Sequence, residues 1–375
     1  MSTDQINEQQ TTPETGQERA QESPPAIDMD VLMSFVGQVV GDLGATISAG
    51  NVLIGEKLGL YRALAQHPTD ATGLAGATGT DERYVEEWLR GQAAGGYVEY
   101  DAATSTYSMT PEKAFALTDP EGPVFLPGAF ELALGSLKAR PQIEEAFRSG
   151  TGYGWHEHDT EVFSGCERFF RPGYLMSLLP DWIPALEGVQ AKLEGGGEVA
   201  DLGCGHGAST ILMAEAFPNS HFTGSDYHAG SIAAARERAT DKGLGDRVSF
   251  EVSGAQSIEA RDLDLVTTFD CLHDMGDPVG AARQIRGSLA NDGTWMIVEP
   301  AAGDTVESNL NPVGRVYYNF STFLCVPNAM SQTGGYALGA QAGEAAIRQV
   351  VTDAGFTRFR RVAETPFNQV YEARP

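Results

Sequence analysis

Lysine is nearly missing from this chain, occurring only at Lys57, Lys113, Lys138, Lys192 and Lys242. With 25 Lys and Arg against 51 Asp and Glu, the formal net charge is −26. A surface so poor in positive charge repels phosphates, so neither nucleic acid nor anionic membrane is expected as a partner. Two readings of the charge stay open: an ordinary acidic enzyme, or a protein working in concentrated salt, where screening relieves self-repulsion. Cysteine is scarce as well. Cys166, Cys204, Cys271 and Cys325 stand alone, with no C-x-x-C pair, as in a reduced protein without a cysteine zinc site. No apolar run reaches the length of a membrane span and no signal-peptide pattern opens the chain, so the cytoplasm is the expected location.

What is present is a glycine turn. Val199–Leu202 forms a short apolar strand, Gly203-Cys204-Gly205-His206-Gly207 a tight turn, and Ala208–Phe217 a helix. Glycines there let the backbone approach a ligand, and the helix N-terminus offers free N–H groups. The spacing is G-x-G-x-G rather than the dinucleotide G-x-G-x-x-G. A second strand, His221–Ser225, ends at Asp226, where a carboxylate can hold ribose hydroxyls. Strand Val248–Val252 ends in Ser253-Gly254-Ala255-Gln256, whose small residues leave room for a flat adenine. Strand Leu263–Phe269 ends in Asp270-Cys271-Leu272-His273-Asp274, and strand Thr294–Val298 in Glu299-Pro300. Ligands in open α/β sheets sit beyond such carboxyl ends, where Asp201, Asp226, Gly254, Asp270, His273 and Glu299 converge. The short link Glu364–Gln369 joins the last two strands as a hairpin, so one of them is antiparallel.

Ahead of this half, residues 1–26 are polar and expected to be disordered. Residues 27–120 follow a winged-helix pattern: helices Val31–Ile47 and Val52–Leu64, a helix-turn-helix over Thr72–Gly79 and Asp81–Gln92, and a small wing. The second helix of that turn carries Asp81, Glu82, Glu86 and Glu87 against Arg83 and Arg90, which opposes DNA binding. Packing and homodimerisation are the expected roles, with Tyr84, Val85, Trp88 and Leu89 facing the core. Residues 121–194, beginning with a helix over Phe125–Arg148, form a linker and cover. There Trp155, His158 and Tyr174 are candidate pocket-wall residues. His156 and His158 find no well-placed third ligand, so no metal is expected. Residues 195–375 are the nucleotide-type domain. Its insertion, 301–338, places Val316, Phe320, Phe323 and Leu324 on one helical face, with Tyr317 adjacent, as core or pocket lining.

An acidic residue, Asp201, followed by G-x-G-x-G, then Asp226 and the terminal hairpin, resembles the class I S-adenosylmethionine (SAM) methyltransferases. From residue 27 onward the layout is similar to the winged-helix small-molecule O-methyltransferases, with a mycobacterial-type N-domain. That resemblance implies a Rossmann-like α/β sheet of seven strands with a terminal antiparallel hairpin, a mainly helical winged-helix N-domain, SAM as cofactor and S-adenosylhomocysteine as product. It places the SAM methionine part at Asp201, Gly203, Cys204 and Gly205, with Asp201 facing the ammonium. The ribose falls at Asp226 and Tyr227, and adenine at Gly254, Ala255 and Gln256; Asp270 and Cys271 complete the site. His273-Asp274 matches the His-Asp pair of plant phenolic O-methyltransferases, whose histidine is the general base, although Met275 replaces their tryptophan. Glu299 would orient that imidazole, and Tyr317 and Phe320 would meet the small-molecule acceptor. A SAM-sensing regulator, or a non-methylating SAM enzyme on the same fold, are the other readings.

Overall fold

Asp28 starts the first helix by accepting the N–H groups of Asp30 and Val31 on Oδ1. The computed structural model describes residues 26–375, so all but the last residue of the expected tail lies outside the described residues. Helix α1 (Met29–Lys57) runs on where two helices were expected. Nothing between Ile47 and Val52 breaks it; the interruption falls at Gly59, whose φ of 72° suits glycine. The chain divides into two units between Ala45 and Thr46. In the first, Val31, Phe35, Val40 and Leu43 are all exposed. An 18-residue window of α1 has a mean hydropathy of 1.4, so by length and composition it could cross a membrane.

The second unit begins with the winged-helix module: α2 (Leu60–Leu64), α3 (Ala71–Thr78), α4 (Glu82–Ala94), β1 (Glu99–Asp101), β2 (Thr106–Ser108) and α5 (Pro111–Leu117). Asp70, Asp81 and Thr110 cap α3, α4 and α5 through their side-chain oxygens. Val85, Trp88, Leu89 and Gln92 form the buried stripe of α4 at helical spacing. Tyr84 lies off that stripe and is 82% exposed, contrary to expectation. The helix expected over Phe125–Arg148 is two, α6 (Pro127–Leu137) and α7 (Arg140–Ser149), parted at Lys138-Ala139 just ahead of Pro141. Helix α8 (Thr160–Ser177) packs along α6 at close range. A Cβ on Gly165 would stand 2.3 Å from the Leu132 nitrogen.

After α9 (Ile183–Ala185) and α10 (Val189–Gly195) comes the sheet domain. It comprises β3 (Glu198–Leu202), α11 (Ala208–Ala216), β4 (His221–Asp226), α12 (Ala229–Asp241), β5 (Val248–Val252), β6 (Leu263–Phe269), α13 (Pro278–Ser288) and β7 (Leu289–Pro300), then α14 (Pro312–Phe323), α15 (Cys325–Ser331), α16 (Gly343–Asp353), β8 (Arg358–Glu364) and β9 (Asn368–Arg374). The seven strands lie in the order β5-β4-β3-β6-β7-β9-β8. β9 pairs antiparallel with both β7 and β8, as the short link requires. Cores on the two sheet faces centre on Leu265, Met296 and Phe222, and on Val266, Trp295 and Tyr371. In α14 the buried residues are Gly314, Tyr317 and Ser321, while Val316 is 45% exposed, so the expected face is rotated. The strand order reverses at β3/β6, and the β3, β4 and β6 carboxyl ends open toward α8, α14 and α15.

Candidate active site

Gly203 and Gly207 hold φ values of 71° and 77°, turning the chain from β3 into α11. A Cβ on Gly203 would come within 2.8 Å of Cys271 Sγ, so only glycine fits that approach. The turn is latched to β4: Asp226 Oδ2 accepts the Gly205 N–H at 3.0 Å, and Oδ1 accepts that of His228 at 2.8 Å. A carboxylate has about four lone-pair sites, so Asp226 keeps capacity for ribose hydroxyls. Burial raises its pKa against those bonds.

Beyond these strand ends lies a cavity of about 610 Å³. Of the candidate cofactor residues, Gly203, Cys204, Gly205, Asp226, Tyr227, Gly254, Ala255, Gln256, Asp270 and Cys271 line it. Asp201 does not. Its side chain is fully buried and accepts hydroxyl bonds from Ser209, Thr210 and Thr267 at 2.7, 2.5 and 2.8 Å. The carboxylate therefore ties β3 to α11 and β6 from behind the turn. Of the expected acceptor residues, Trp155, Tyr174, Tyr317 and Phe320 line the cavity. His158 is outside it, buried against Tyr153 at a ring separation of 4.7 Å. Burial lowers its pKa to about 4, so it is neutral.

The 3₁₀ turn Leu272–Asp274 brings His273 to the cavity wall. Glu299, at the end of β7, stands behind it: Oε2 lies 2.5 Å from His273 Nδ1, and Oε1 accepts the Leu272 N–H at 3.0 Å. Burial alone would lower the histidine pKa. The Glu299 carboxylate and then Cys325 outweigh it and hold the value well above 6.5. Asp270, just after β6, has φ 50°, a left-handed conformation uncommon outside glycine. Its Oδ1 accepts from Asn368 Nδ2 at 2.7 Å, while Oδ2 is buried without a partner among the described residues. Burial, then Glu299, push its pKa well above the usual carboxylate range.

Three residues outside the sequence motifs complete the surroundings. Glu167 of α8 reaches across the cavity mouth to His206 Nδ1 at 3.4 Å and Arg238 Nη1 at 2.6 Å. Burial would raise its pKa, but those two bonds bring it to about 2. Asn328 of α15 accepts the Trp155 N–H and Tyr227 O–H on Oδ1, and donates Nδ2 to the Asp274 carbonyl. Cys325 lies against His273. Nothing local in the sequence marks these three, because their partners are 39 to 173 positions away.

The residues fit SAM: a glycine cradle whose backbone can approach the ligand, a ribose carboxylate with spare lone pairs, and an unhindered Gly254 at the β5 end. Residues 193–334 match the family described as a methyltransferase domain, and residues 47–119 the Rv2258c-like winged HTH domain. The mitomycin biosynthesis 6-O-methyltransferase of Streptomyces lavendulae is 24% identical over 250 residues, 65% of this chain and 71% of its own length. An uncharacterized protein of Synechococcus is 30% identical over 177 residues, 46% of this chain; the match spans 37% of that relative's length. The fold is shared with mitomycin 7-O-methyltransferase MmcR (TM-score 0.65, 18% identity, covering 93% of this chain and 100% of that one). It is also shared with human N-acetylserotonin methyltransferase, solved with SAM (TM-score 0.62, 16% identity, covering 94% and 99%). Residues 193–334 of the chain therefore match a methyltransferase domain, joined to a winged helix-turn-helix domain of the Rv2258c-like kind.

Proposed function

We propose that this protein transfers a methyl group to a hydroxyl oxygen of a small aromatic molecule, with His273 as general base. The observation that carries the reading is the His273–Glu299 pair on the cavity wall, 2.5 Å between Nδ1 and Oε2. Glu299 fixes the ring on the wall of a cavity also lined by Phe169, Phe170 and Tyr174 of α8 and Phe320 of α14. Aromatic walls favour a flat acceptor. Bound SAM supplies an electrophilic methyl, so the protein's work is to align the acceptor and take its proton. Alignment is worth up to roughly 7–11 kcal/mol, and proton removal about 10²–10⁴-fold. Asp226 and Tyr227 would hold the ribose, and Gly254–Gln256 the adenine. Incubation with SAM and a panel of phenols, carboxylates and amines, read by mass spectrometry, tests the assignment. Phenols gaining one methyl are expected; gain confined to amines or carboxylates overturns it.

The exposed apolar residues of α1 support a homodimer formed through the N-terminal part, in the reducing cytoplasm that the four free cysteines suit. Sedimentation is expected to show two chains at micromolar concentration. A monomer there overturns the dimer.

A further inference from the structure

The imidazole of His273 is held on both sides. Nδ1 meets Glu299, and Nε2 meets Cys325 Sγ at 3.3 Å. Cys325 is 9% exposed, begins α15 and lines the same cavity as His273. Because the carboxylate takes the Nδ1–H, Nε2 is the nitrogen left to receive a proton from an acceptor. The sulfur stands at that nitrogen.

Resting on the methyl-transfer reading above, we propose that Cys325 is a positioning residue that stands in for the acceptor oxygen, holding Nε2 until a hydroxyl replaces it. A thiol is a weak donor and a weak acceptor at once. It can therefore partner Nε2 in either protonation state of the ring: S–H donates to neutral imidazole, and Nε2–H donates to sulfur in imidazolium. A buried ring nitrogen with no partner is unfavourable, so an empty pocket would otherwise leave the base free to turn away. A thiol bond is also weaker than a hydroxyl bond, so an incoming phenol wins the exchange. Backbone, rather than a long side chain, sets the sulfur's place. One turn further along α15, Asn328 Nδ2 donates to the carbonyl of Asp274, the residue after the base, at 3.2 Å. Helix and base-bearing turn are thus fixed to one another, with Tyr317, Phe320 and Leu324 closing the wall around them.

The test starts without cofactor or acceptor, so its failure leaves the methyltransferase reading standing. Nitrogen-15 NMR of His-labelled full-length protein is recorded for wild type, Cys325→Ala and Cys325→Ser. Cys325→Ala is expected to move the His273 Nε2 resonance while Nδ1 keeps its Glu299 signature. Cys325→Ser, nearly the same shape and also a two-way partner, is expected to restore a bonded Nε2. Ring signals unchanged in Cys325→Ala overturn the proposal. With the acceptor that gains a methyl in the mass-spectrometric panel, Cys325→Ser should raise KM at least threefold with kcat within twofold, because serine is the stronger competitor for Nε2. Cys325→Ala should not raise KM. A fall in kcat at unchanged KM in both variants would mark the thiol as merely structural and overturn the proposal.

Discussion

Asp226→Ala removes a carboxylate that does two things: it latches Gly205 of the glycine turn and faces the place assigned to ribose. Charge-assisted bonds of this kind are worth about 1.5–3 kcal/mol, so calorimetry should show SAM affinity falling by tenfold or more. Unchanged affinity would remove the ribose assignment. His273→Gln separates base from cofactor contact. SAM affinity should stay within about twofold, while turnover falls about 10²–10⁴-fold at neutral pH. The ionisation sign follows from the Glu299 contact: the folded-state pKa lies above 6.5, so the base is protonated at low pH. The ascending limb of kcat/KM should be centred above pH 6.5, move downward in Glu299→Gln and vanish in His273→Gln. A limb centred below 6.5 in wild type would contradict the ion pair.

The strands were legible in the sequence because apolar runs such as Val199–Leu202 and Leu263–Phe269 end in glycine or acidic residues, and the parallel pairing leaves those ends together. Helix limits were less so: α1 runs through Gly50, where local composition suggested a gap, because no proline or left-handed residue stops it before Gly59. Asp201 shows how a motif position can be found and its bonding partners missed. Strand alternation could not tell that its side chain turns toward Ser209, Thr210 and Thr267. The cover was legible only as aromatic. Its latch is Glu167 of α8, bonded to His206 in the glycine turn and Arg238 in α12, a link between segments far apart in the chain. Glu167→Gln keeps the shape and removes the charge, so it should loosen α8 over the cofactor. Stopped-flow fluorescence should show SAM dissociating several-fold faster with little change in melting temperature. An unchanged off-rate would make Glu167 a packing contact with no hold on the cofactor.

At the scale of the whole molecule, the charge balance decides how the protein answers to salt. Ion pairs such as Arg83–Glu87 and Arg140–Glu144 are exposed, and pairs of that kind are worth little. Salt weakens them, which alone would lower stability slightly. Against that stands an excess of 26 acidic charges (51 less 25), whose mutual repulsion has no basic partners to offset it. Raising ionic strength from about 0.01 to 1 M shortens the Debye length from roughly 30 to 3 Å and removes most repulsion between separated carboxylates. Since acids outnumber bases about twofold, the relieved repulsion should exceed the lost attraction. The melting temperature is therefore expected to rise with KCl into the molar range. Sucrose at matched osmolarity separates charge screening from general exclusion of solute from the surface. A rise in both would credit exclusion. Stability that is flat or falling in KCl would show that the acidic surface is already relaxed at low salt, and that high-salt adaptation is not its origin.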